Sequence, residues 1–117
     1  MNMKLKILIL VGLLTISGIG TAKANYYTAG EVLSDCESKK AVEQAYCMTY
    51  LAGISDAHNA LVFWKNLQEP KFCAPKGATQ NQLREVFTKY ASENPQSLHL
   101  AAASLVMNAF YKGFPCE

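Results

Sequence analysis

Four cysteines and two histidines are the residues of this 117-residue chain best equipped for chemistry. Cys36, Cys47, Cys73 and Cys116 are spaced by 11, 26 and 43 residues, so no C-x₂₋₄-C pair of the kind that begins a structural zinc site is present. An even number of cysteines in a small exported domain reads instead as two disulfides formed in an oxidising compartment. His58 follows Asp56 closely, but side chains two apart on a helix point roughly 200° from one another and cannot share a local site. His99 stands beside an apolar stripe. Both histidines read as core or surface residues, and no third ligand is spaced to complete a metal site with them. A Gly-rich phosphate loop, a G-x-S-x-G elbow and an H-E-x-x-H helix are all missing. The expectation is a protein that is not an enzyme and needs no cofactor.

The elements that position these residues read as helices. Residues 1–24 come first as an export signal: a basic start with Lys4 and Lys6, a 14-residue apolar run from Ile7 to Gly20, and Ala22-Lys23-Ala24 as the cleavage site. A spanning helix needs about 20 apolar residues, so membrane anchorage after cleavage is not expected. The mature domain is then 25–117, exported to an oxidising compartment. Without the leader, eight basic residues face nine acidic ones, and no basic stripe is left to bind nucleic acid.

Within the mature part, the pattern predicts helices over about 29–36, with Thr28 as N-cap, and over about 39–67. The second carries Val42, Tyr46, Met48, Leu51, Ile54, Ala57, Leu61 and Phe63/Trp64 at helical spacing. Gly53 inside it suggests close packing or a bend. Pro70, Pro75 and Gly77 mark a loop pinned at Cys73. Thr79-x-x-Gln82 is a capping box opening a third helix with Leu83, Val86, Phe87 and Tyr90 on one stripe. Asn94-Pro95 is read as the start of a fourth, with Gly113 as its C′ residue. The fold class is all-α: a small disulfide-stapled bundle of about four helices.

Four cysteines allow three pairings. An antiparallel hairpin of the last two helices sets Cys73 beside Cys116, which leaves Cys36 with Cys47 by elimination. That second pair demands a crossing angle or an irregular turn, because a strict hairpin would set Cys36 opposite a residue nearer position 41. Most of the twelve aromatic residues fall on helical stripes and read as core. Phe63, Trp64 and Phe72 flank the long loop, and the better reading has them closing the bundle end over the Cys73 bridge.

The order of these features resembles a known family. Glu31-Val32-Leu33-x-x-Cys36 is followed by Cys47-x-x-Tyr50-x-x-Gly53, then by Phe72-Cys73-x-Pro75-x-Gly77, Asn94-Pro95-x-x-Leu98-His99 and Phe114-Pro115-Cys116. Together they look like the Tai immunity proteins, which guard against type VI secretion amidase effectors. The resemblance implies a periplasmic helical protein that occludes the active-site groove of a peptidoglycan amidase with a protruding loop and a helix, often as a homodimer. Such a plug must be stiff, because ordering a floppy loop costs affinity. The segment 67–78, held by Pro70, Pro75 and Cys73, fits that need. Asn66, Gln68, Glu69, Lys71, Phe72 and Lys76 are the expected partner-binding residues. The competing expectations are an acid-stress chaperone of similar build and, behind it, a helical carrier of small molecules.

Overall fold

The computed structural model describes residues 26–117, so the expected export signal lies outside the described residues. Four helices follow in order: α1 (Ala29–Glu37), α2 (Ala41–Phe63), α3 (Gln80–Glu93) and α4 (Ala102–Gly113), with a 3-10 turn at Pro95–Ser97 between the last two. None of the described helices is long and apolar enough to cross a membrane.

Reciprocal capping boxes start two of the helices. At α3, the Thr79 hydroxyl accepts from the Gln82 N–H at 3.2 Å and the Gln82 side chain accepts from the Thr79 N–H at 2.8 Å. The Thr28 cap of α1 is a box too: Glu31 Oε2 accepts from the Thr28 N–H at 2.8 Å. The remaining free donors at the start of α1 are met from a distant part of the chain. Ala29 N–H donates to the Leu100 carbonyl at 2.9 Å and Gly30 N–H to the Leu98 carbonyl at 2.8 Å. In return Ala102 N–H donates to the Tyr27 carbonyl at 2.9 Å.

This exchange corrects the fourth helix, which begins at Ala102 and not at Pro95. Pro95 starts only a single 3-10 turn, because the carbonyls of Leu98 and Leu100 are turned away to cap α1. Gly30 permits the close approach, since a Cβ there would lie 3.3 Å from the Leu98 carbonyl oxygen.

The core is built from the inner faces of all four helices. Val32 and Leu33 of α1, Leu51 of α2, Leu83 and Phe87 of α3, and Leu105, Val106 and Phe110 of α4 are buried there with Phe72 of the loop. Both expected disulfides are present: Cys36–Cys47 ties α1 to α2, and Cys73–Cys116 ties the long loop to the C-terminal tail. The fold is the expected small, stapled all-α bundle.

Gly113 differs from its expected role. It is the last residue of α4, with Phe114 as the cap, and what it supplies is space. A Cβ on it would collide with Val86 Cγ1, and a β-branched valine cannot easily swing aside. Gly113→Ala is therefore expected to cost about 1–3 kcal/mol through overpacking of α3 on α4. At about 4–8 °C per kcal/mol for a domain this size, a thermal melt followed by circular dichroism reads that directly.

Candidate partner-binding surface

The second helix ends at Phe63, a turn earlier than the sequence pattern predicts. Lys65 takes the left-handed conformation, with φ at 60°. The N–H groups of Asn66 and Leu67 both turn back to the Leu61 carbonyl, at 2.9 and 3.1 Å. This is the usual way a helix closes on a left-handed residue, but that position normally holds Gly or Asn. A lysine there gives the sequence no stop signal, and the chain leaves α2 in a sharp reversal.

Residues 64–79 then return along the end of the bundle and are fastened at four points. Lys71 N–H donates to His58 Nε2 at 2.9 Å. Phe72, 3% exposed, stacks on the His58 ring with centroids 4.0 Å apart and meets Phe110 edge-on at 5.2 Å. Cys73 N–H donates to the Phe114 carbonyl at 2.8 Å, and Cys73 is bonded to Cys116. The Ala78 N–H closes a turn onto Pro75 through Gly77, whose φ is 89°.

The structure places the expected contact residues as follows. Asn66, Gln68, Glu69, Lys71 and Lys76 are exposed along the loop. Phe72 is not among them, for its ring is the plug that seals the loop onto the core. Phe63 and Trp64 take the opposite course: the sequence pattern favours them as core, yet they are 82% and 65% exposed. They stand at the point where the loop departs, so the corner joins two large aromatic rings to a fringe of polar side chains. Aromatic residues with a polar surround make up the usual centre of a protein interface.

A second apolar surface runs along the outside of α2. Val42 and Tyr46, both expected inside, are 55% and 62% exposed. A groove of about 640 Å³ beside them is lined by Tyr27, Val32, Ala45, Tyr46, Thr49 and Tyr50. Burial raises the Tyr50 hydroxyl above the usual tyrosine range, and the neighbouring Tyr27 adds to this.

The histidines part company. His58 is buried in contact with the loop, while His99 is exposed in the turn before α4. Among the described residues no three His, Cys, Asp or Glu side chains come together as a metal site would require.

Comparison with curated proteins and with solved structures gives no match. A family model described as Rap1a immunity proteins matches residues 28–116, which takes in all four helices, both disulfides and the anchored loop. The chain belongs to the Rap1a immunity protein family.

Proposed function

We propose that this immunity protein is exported to the periplasm, where it neutralises a type VI secretion peptidoglycan amidase of the Tai-partnered kind by filling its active-site groove. Membership of an immunity family implies a partner effector protein. The observation that carries the choice of surface is the corner where Phe63 and Trp64 stand exposed beside a loop held at four points. A groove can be blocked only by something that keeps its shape on entering it, and a preordered loop loses little entropy on binding. The two disulfides and the leader-like first 24 residues support an oxidising destination. The protein acts by occupation, with no bond made or broken by its own residues. The test is hydrolysis of purified peptidoglycan by the cognate type VI secretion amidase, with the oxidised protein added in equimolar amount. Loss of cleavage is expected; full cleavage at saturating excess would reject the reading.

The outside of α2 supports pairing with a second copy. This 23-residue helix carries only two charged side chains, Glu43 and Asp56. A helix with apolar side chains on its outer as well as its inner face is ordinarily covered on both. Gly53 lies at the middle of the outer face, and a Cβ there would meet no atom within 4 Å, so packing within the chain does not call for it. In an antiparallel pair centred on Gly53, Thr49 of each copy lies opposite Ala57 and Tyr46 opposite Ala60, large against small. Such a contact is isologous and closes as a two-fold dimer. Gly53→Leu is expected to weaken the dimer by about a hundredfold, or about 2.7 kcal/mol, read by light scattering across a dilution series. A wild-type chain that remains monomeric at all concentrations would remove this part of the reading.

A further inference from the structure

His58 is the one polar side chain fully buried among the described residues, at 1% exposed. Its hydrogen bonds fix its state. Nε2 accepts the Lys71 N–H at 2.9 Å and therefore holds a lone pair, so the ring proton is on Nδ1, which donates to Asn59 Oδ1 at 3.4 Å. The ring is neutral in this arrangement, and it is stacked against Phe72.

We propose that His58 is the positioning residue for the loop and that it works as an acid-released latch. A protonated imidazole has no acceptor. On protonation Nε2–H would face the Lys71 N–H, donor against donor, and the loop would lose the bond that holds its returning limb. Few charged groups stand near the ring. From α2 itself come neutral Asn59 and the exposed Asp56, which projects to the other side of the helix. The loop contributes the exposed Glu69 and Lys71, and the α4 residue behind Phe72 is the apolar Phe110. Among the described residues no carboxylate lies within 4.0 Å of a His58 nitrogen. Phe72 keeps its contact with Phe110 and the Cys73–Cys116 bond remains, so the release is confined to the limb that precedes them.

The latch is a property of the chain alone, and only its effect on partner affinity rests on the reading of the loop as the inhibitory surface. The experiment accordingly uses the oxidised, nitrogen-labelled protein without a partner. Magnetic resonance is expected to find the Nδ1–H tautomer of His58 at neutral pH, with order parameters of about 0.85 for the loop amides of Gln68, Glu69 and Lys71. On acidification these are expected to fall below about 0.6 in step with His58 protonation, while α3 keeps its values. His58→Gln supplies a side-chain carbonyl that can accept but cannot titrate, and should keep the loop ordered at both pH values. His58→Leu fills the space without an acceptor and should leave it loose at both. Near-ultraviolet dichroism and the α3 amide shifts confirm that each variant is folded. An Nε2–H tautomer, a loop still ordered once His58 is protonated, or an ordered loop in His58→Leu would overturn the proposal.

Discussion

Removing the Cys73–Cys116 bond with a Cys73→Ser, Cys116→Ser double variant is expected to lower the melting temperature by roughly 20 °C. The bond closes a 43-residue separation, and on the chain-entropy account a loop of that length is worth about 4 kcal/mol. Each kcal/mol moves the midpoint of a domain this size by about 4–8 °C. Both sulfurs belong to exposed residues, so the serines meet water and add no unpaired buried hydroxyl. The Cys36–Cys47 bond spans 11 residues and is buried. Its loss costs about 3 kcal/mol on the same account, and alanine is the proper replacement there. Calorimetry of the two double variants separates loop-closure entropy from local packing. If the buried, short-range pair proves the more costly, packing around Cys36 and Cys47 outweighs chain entropy. If the Cys73–Cys116 variant melts unchanged, the remaining anchors at Lys71 and Phe72 hold the loop alone.

Local chemistry made much of this architecture legible in advance. Thr28 and Thr79 announce two helix starts because their hydroxyls serve the orphan N–H groups of the first turn. The cysteine spacing, once the last two helices form a hairpin, allows the pairing found. Two differences from the pattern have separate causes, one distant in sequence and one local. Leu98 and Leu100 have ordinary helical character, and only α1 lying alongside turns their carbonyls outward. Lys65 reverses the chain in a conformation that its residue type does not advertise.

Apolar residues occupy both faces of α2, so spacing alone does not mark which face lies inside. Helical spacing groups Val42, Tyr46 and Trp64 as readily as Cys47, Leu51 and His58, but only the second set meets the other helices. For the same reason the polar tips of the loop could be read from its Pro, Gly and Cys residues, whereas its aromatic partners could not. Phe72 and Phe63 are the same side chain at opposite extremes of exposure, distinguished by where His58 and Phe110 stand.

That contrast sets up the most selective test of the surface. A Phe63→Ala, Trp64→Ala double variant is expected to fold and melt almost as the parent does, because rings that remain 82% and 65% exposed contribute little to the core. Binding to the effector should nevertheless weaken by roughly a hundredfold or more, since an aromatic anchor at the centre of an interface is worth about 2 kcal/mol or above. Lys76→Ala removes one exposed charge at the fringe and should cost under about 1 kcal/mol. Phe72→Ala behaves differently from both. It empties a core position, which costs about 3–5 kcal/mol, and it weakens binding only by letting the loop move. Calorimetric titration of the effector beside a thermal melt of each variant distinguishes these three signatures. Stability kept and affinity lost at Phe63 and Trp64 identifies the corner as the contact itself. Affinity kept in that variant would move the inhibitory surface away from the end of α2, even with the loop as firmly anchored as it is.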